Sequence, residues 1–206
     1  PPTDVIRLPR RTRYVFHGLV HGVGPGQLYA YKVRGAFEPA HGLRFNEHKA
    51  LLDPYARAFT GKVQSVNDVL LAYDPYSPSR DLSLDTRDST DALPKCVVVD
   101  DRFDWQGDVP PDVPFEQLLI YEVHLAGFTA HESSGVRQPG TYLGLIEKIP
   151  HLVELGVNAV ELLPIHEHYV ESFLVKRGLT NYWGYNTLGY FAPESSYAWG
   201  KAPAAS

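Results

Sequence analysis

The spacing of hydrophobic positions changes twice along the chain, and the changes divide it into three stretches. From Val5 to about Gly61 the apolar residues fall in short β-rich runs, "RYVFHGLV" and "QLYAYKVRG". Between them lies "HGVGPG", a glycine and proline signal that predicts a hairpin connection. Two strands make a marginal sheet, so this stretch reads as the end of a small β-sandwich. "NEHKALLDPYARAF" predicts a turn and a short helix, broken at Asp53-Pro54. Residues 74–115 have no period and are rich in Asp, Pro and Ser. One short apolar strand, "KCVVVD", interrupts what otherwise reads as an irregular connection.

From residue 118 the pattern is that of alternating strands and helices. "LLIYEVHLAGFT" is a near-continuous apolar run, predicting a strand buried on both faces of a parallel sheet. In "TYLGLIEKIPHLVELG" the positions Leu145, Ile149, Leu152 and Leu155 share one side of a helix, with Ile146 and Val153 flanking them. Thr141 suits the N-cap and Gly156 the C′ position. Pro150 predicts a kink or a boundary inside the helix. "VNAVELLPI" is a second strand, so the stretch predicts a βαβ unit with a right-handed crossover and further strands beyond it. The expected organisation is residues 1–73 as a partial β-sandwich with its joining segment, 74–115 as a linker, and 116–206 as the start of an α/β barrel.

Composition narrows the partners. The 206 residues are 44% hydrophobic and 21% charged, with a net charge of −5 and a pI near 6.0. No run approaches the ~20 apolar residues of a membrane span, and no basic footprint for nucleic acid is present. Arg10, Arg11 and Arg13 read as a solvated patch. A single cysteine, Cys96, rules out intramolecular disulfides and cysteine-rich zinc sites. The sequence begins Pro1-Pro2 and holds no methionine, so the expectation is that residues precede it in a longer protein.

Glu122 and His124, two apart on the first barrel-type strand, share a face, and Glu161 lies on the second strand. Glycoside hydrolysis needs two carboxylates at a set distance, but the simpler expectation is that these are interior polar residues hydrogen-bonded to neighbours. His166 and His168 form an H-x-H pair without a third ligand at useful spacing, so no metal site is expected. In a (β/α) barrel the loops after the strand C-termini build the active-site face, which places residues 166–190 at a substrate cleft. "GLTNYWGYNTLGYFAPESSYA", residues 178–198, carries six aromatic residues and one charged residue, Glu194. Such a segment suits a neutral, hydroxylated ligand with apolar faces, as a sugar has. Trp183 and Tyr185 are expected to meet that ligand, and Tyr190 and Phe191 to pack the loop against the barrel.

Several long stretches together resemble one family. "GQLYAYKVRGAFEPAHGLRFNEHKALLDPYARAFTG", "KCVVVDDRFDWQGDVPP", "LIYEVHLAGFT", "GTYLGLIEKIPHLVELGVNAVELLPI" and "LTNYWGYNTLGYFAPESSYA" resemble isoamylase-type glycogen debranching enzymes of the α-amylase superfamily. The likeness runs from about residue 14 to residue 198. It implies a multidomain β plus α/β protein: the C-terminal part of a carbohydrate-binding-module-like β-sandwich, then the first two strands of a (β/α)8 TIM barrel. It implies a glycoside hydrolase acting on α-1,6 branch linkages of glycogen or limit dextrin with retention. It further implies a cytoplasmic setting and neither an organic cofactor nor a nucleic-acid or membrane partner. The family's catalytic aspartate, glutamate and second aspartate lie at the ends of the fourth, fifth and seventh barrel strands, so none falls within this chain, which alone should not catalyse. Tyr185 matches the tyrosine that stacks beneath the sugar at the cleavage subsite, with Trp183 and His166 beside it as further substrate contacts. The ending "WGKAPAAS" departs from the family pattern. Together with the start, it leads to the expectation of a fragment lacking both ends. The alternatives are a glucan-binding protein without catalysis, or a glucan branching or transferase member of the superfamily.

Overall fold

The computed structural model describes residues 2–100 and 102–200; residues 201–206 of "WGKAPAAS" lie outside them. The N-terminal strands form but pair differently from the expected hairpin. Strand β1 (Arg10–Thr12) pairs antiparallel with β2 (Val15–His17), so "RYVFHGLV" finds its partner upstream rather than across "HGVGPG". Strand β3 (Leu28–Tyr29) is followed by a small hairpin, β4 (Phe37–Glu38) and β5 (Leu43–Arg44). β3 itself pairs antiparallel with β6 (Cys96–Val97), which lies inside the stretch read as a linker. The reason is chemical: "KCVVVD" is the apolar run able to cover β3, whereas Gly24 and Pro25 leave the nearer connection without a ladder. Phe59 also bridges to Cys96, so residues 28, 59 and 96 are knitted into one layer.

"NEHKALLDPYARAF" contains no helix. Asp53 Oδ1 accepts from the Tyr55 amide at 2.8 Å, and the Ala56 amide donates to the Asp53 carbonyl. Aspartate before proline thus closes a turn through its own side chain, and Pro54 denies a helix the amide it would need. What fixes residues 46–89 is a buried polar knot. The Asn46 amide donates to the carbonyls of Ala72 and Asp85, and Lys49, 3% exposed, donates to those of Val69 and Arg87. Buried Asp85 receives Arg87 through two guanidinium nitrogens, and this pairing holds its carboxyl down to about 2. A loop this irregular stays ordered because its buried donors and acceptors are paired.

The βαβ unit is present. Strand β7 (Ile120–Val123) lies parallel to β8 (Ala159–Leu162) in the register Ile120 to Ala159. Two findings differ from expectation. The apolar run ends as strand at Val123, and "LAGFTA" instead forms helix α1 (Leu125–Ala130). Its N-terminus is capped by His124 Nδ1, which accepts from the Gly127 amide. The strands are also not buried on both faces: Ile120, Tyr121 and Val160 are exposed. Helices α2 (Tyr142–Glu147) and α3 (Ile149–Glu154) follow the predicted spacing. Thr141 accepts from the Gly144 amide at the N-cap, Lys148 forms the break ahead of Pro150, and Gly156 has φ +83°. On the apolar side of these helices Leu152 is buried, while Ile149 and Leu155 are half exposed. The described residues present 15288 Å² of accessible surface, against about 9,600 Å² for a compact monomer of this mass. Exposed large hydrophobic side chains, Ile120, Val160, Ile149 and Leu155 among them, contribute to the excess.

After β8 the segment expected as a loop is largely a hairpin. Strand β9 (His166–His168) pairs antiparallel with β10 (Thr187–Pro193), with two register shifts along β10. A short helix, α4 (Ser172–Val175), occupies the connection.

Gly144 gives a sharp test of packing between α1 and α2. A Cβ there would sit 2.3 Å from the Gln138 carbonyl oxygen and 3.1 Å from Thr129 Oγ1. Alanine normally favours a helix over glycine by about 1 kcal/mol; here the backbone clash outweighs that gain. Gly144→Ala is expected to destabilise the chain by about 1–3 kcal/mol, read as a lower midpoint in urea. A raised midpoint would contradict this packing.

Candidate functional site

Residues 55–65 run along the back of the β9/β10 hairpin and hold it at four points. The Tyr55 ring stacks on Phe191 at 5.4 Å. The Phe59 ring lies so near Gly189 that a Cβ on that glycine would be 2.9 Å away. Ser65 donates its hydroxyl to the Val170 carbonyl. Lys62 sends its ammonium between two carboxylates, 2.6 Å from Glu167 Oε1 and in contact with Glu194 Oε1.

Those carboxylates are withdrawn from water, Glu167 at 3% exposure and Glu194 at 1%. A buried charge persists only when paired and hydrogen-bonded, and each of these is. Glu167 Oε2 accepts from the Ser195 amide at 2.8 Å. Glu194 Oε1 accepts from the Ser196 amide, and Glu194 Oε2 from the His168 amide. His168 Nδ1 lies 2.9 Å from Glu194 Oε2. Burial opposes ionisation of Glu194, but hydrogen bonds from His168, Lys62 and Ser196 prevail and hold its carboxyl far below the usual range. The bond to Glu194 raises His168 against the lowering effect of its burial. Tyr142, whose hydroxyl donates to the Ile165 carbonyl, is pushed up to about 12 by burial and by Glu194.

The other side of the hairpin carries the aromatic residues. His166 meets the Tyr190 ring edge-on at 5.6 Å, and Trp183 meets Tyr185 edge-on at 6.3 Å. Trp183 is 64% exposed and Tyr185 68%, so both predicted ligand contacts present open ring faces. The turn that displays them is built by Asn181, whose Oδ1 accepts from the Gly184 amide while its Nδ2 donates to Glu171. Gly184 is buried at φ +77° with the Pro164 carbonyl beside it, a place closed to other residues. Tyr182, half exposed, stacks on His124 at 4.0 Å. With Nδ1 of His124 accepting at the helix cap, Nε2 carries the proton and donates to the Tyr182 carbonyl at 2.7 Å.

Two expectations need correcting here. Tyr190, expected to pack the loop down, is exposed beside His166; only Phe191 packs, and it does so on Tyr55. Glu122 and Glu161 occupy facing register positions on β7 and β8 but are exposed rather than interior, because the sheet has two strands and their face is uncovered. His168 is engaged with Glu194, so the H-x-H residues do not act as a pair. No group of three or more metal-ligating side chains among the described residues is arranged to hold a metal ion; Lys62 fills the space between the carboxylates. Lys62, Glu167 and Glu194 were missed in the sequence. The one available signal was Glu194 itself, the single charge in a 21-residue aromatic stretch. The carboxylates behind the hairpin are engaged with Lys62, His168 and backbone amides, and the aromatic surface in front of them rests on that support.

Over 199 residues, 95% of its length, the chain is 45% identical to the glycogen debranching enzyme of Yersinia pestis bv. Antiqua (strain Angola). It is 43% identical over 198 residues to that of Serratia proteamaculans (strain 568). Proteins named glycogen debranching enzyme are therefore its homologues along nearly the whole chain, which spans 29% of their length. Among solved structures, the Group B Streptococcus pullulanase SAP matches 73% of this chain and 19% of its own, at 24% identity and a TM-score of 0.50, a likeness of fold. The pullulanase type I of Bacillus subtilis str. 168 matches 75% of this chain and 19% of its own, at 28% identity and a TM-score of 0.48. No protein-family model matches the chain. Among the described residues no helix is long and apolar enough to cross a membrane.

The charge cluster makes stability depend on pH in a defined direction. His168 is raised from its ordinary 6.5, so its contribution is complete below that value and is lost as pH rises through the folded value. Glu194 is lowered from 4.5, so its contribution is complete above that value and is lost on strong acidification. Thermal melting should be highest between about pH 5 and 6.5, falling by several degrees toward pH 8.5. A melting temperature flat from pH 6 to 8.5 would show that the ion cluster is not coupled to folding.

Proposed function

We propose that the chain is the substrate-facing part of a longer enzyme that hydrolyses α-1,6 branch linkages in glycogen or its limit dextrins. The observation that carries this reading is the 45% identity, over 95% of the chain, to proteins named glycogen debranching enzyme. In this reading the layer around β3 and β6 ends a carbohydrate-binding-type β-sandwich, and β7 and β8 are the first two strands of a (β/α)8 barrel. Further strands of the parent would cover the exposed faces of Ile120, Val160, Ile149 and Leu155. Tyr185 stacks beneath a glucose ring, with Trp183 and His166 contacting the neighbouring unit. The catalytic carboxylates of a retaining glycosidase, acting without an organic cofactor in the cytoplasm, come from parts of the parent that this chain does not include. The names of the relatives favour debranching over branching or transfer.

A chimera tests the reading. The matching stretch of the Yersinia pestis enzyme is replaced by this chain, and reducing-sugar release from glycogen limit dextrin is followed. The chimera is expected to cleave branch linkages, and the 206-residue chain by itself to release nothing. A folded chimera without turnover, or turnover by the chain alone, would sink the proposal. Within the chimera, Tyr185→Ala should lower kcat/KM about tenfold, as loss of ~1.4 kcal/mol of ring stacking would; an unchanged value would remove Tyr185 from the site.

A further inference from the structure

We propose that Lys62 is a positioning residue for the aromatic hairpin: its ammonium locks the 55–65 segment to Glu167 and Glu194, and so fixes the surface that displays Trp183, Tyr185 and Tyr190. The functional half of this inference rests on the glucan reading above. Lys62 lies 132 residues from Glu194 in sequence and touches none of the aromatic side chains proposed to meet sugar, so it acts through the strands. Glu167 is the middle residue of β9, and Glu194 directly follows β10, so one ammonium fastens both strands of the hairpin at once.

Charge counting shows why the lysine cannot be a passive neighbour. Two buried carboxylates face one ammonium on a half-buried lysine, which leaves one negative charge on the buried side. The bond to Glu194 favours the protonated form of His168, which supplies the balance when it carries the proton. The groups around His168 are few: Glu194 after β10, Lys62 on the 55–65 segment, and, on its own strand, Glu167 and the His166 carbonyl at 3.2 Å. Tyr142 of α2 and buried Tyr197 border Glu194 from the far side. Removing Lys62 would leave the two carboxylates with His168 as their one charged-group partner among those named, and the hairpin would lose its ammonium tie to residues 55–65. The Tyr55–Phe191 stack, the Phe59 ring against Gly189 and the Ser65–Val170 bond are the uncharged contacts beside it.

The test uses the 206-residue chain with three variants: Lys62→Met, Lys62→Arg, and Lys62→Met combined with Glu167→Gln. The last restores charge balance without restoring the tie, and keeps the experiment interpretable where the single methionine variant fails to fold. Three readouts are taken: NMR titration of the His168 imidazole, amide hydrogen exchange across residues 181–191, and retardation in native gels containing glycogen. Lys62→Met should titrate His168 at higher pH than the wild type, since a nearby cation is gone, and Lys62→Arg should return it. The double variant should recover the melting temperature yet exchange hairpin amides at least tenfold faster and lose at least tenfold in glycogen affinity. Wild-type exchange and affinity in the double variant would overturn the proposal, leaving Lys62 as a neutralising charge only. If the wild-type chain is not retarded by glycogen, the glucan reading is what fails; hydrogen exchange then decides the positioning role by itself, faster exchange supporting it and unchanged exchange overturning it.

Discussion

Two carboxylates held out of water govern how the two halves of this chain meet. Glu167 and Glu194 could not be buried in an apolar setting; the cost of an unpaired interior charge far exceeds what nearby packing returns. They are tolerable because Lys62, His168 and the amides of Ser195, Ser196 and His168 surround them. The consequence is architectural. A residue of the N-terminal layer becomes a structural member of the β9/β10 hairpin, and the hairpin's outer face is left free for aromatic display.

The same logic recurs around Lys49. There a buried ammonium is satisfied by two carbonyls and lies 3.5 Å from Asp85, and a long irregular stretch is ordered around it. Few large apolar side chains are fully withdrawn from solvent; Leu125 is the largest of them. Order in the described residues therefore leans on polar knots, each demanding complete hydrogen bonding, more than on a wide hydrophobic core. Polar knots are unforgiving of partial satisfaction, which fits their placement where local secondary structure is sparse.

Much of the helical and parallel-strand architecture was legible in the sequence because it is written in local spacing. Thr141, Pro150 and Gly156 each act within a few residues of their own position, and β7, α2, α3 and β8 followed from them. The strand partners of the N-terminal part were not legible, since β3 had to choose between a near run and the distant "KCVVVD", and pairing choice depends on tertiary cover. "LAGFT" looked like strand because an apolar run does not disclose its period over five residues; the cap supplied by His124 decided for helix. That Trp183 and Tyr185 are exposed was legible because an aromatic segment with a single charge is conspicuous. Lys62 was invisible, because a lysine in a loop carries no mark of the carboxylates that will enclose it.

The pairing of β3 with β6 has a consequence for the order in which the chain is made. Synthesis runs from the N-terminus, and domains fold as they emerge. Once Cys96 and Val97 are available, the layer that joins residues 28, 58–60 and 96 can close, well before residue 167 exists. The segment that carries Lys62 is thus tied at residues 58–60 by contacts that need nothing beyond residue 97, while the carboxylates it pairs with come from the far end of the chain.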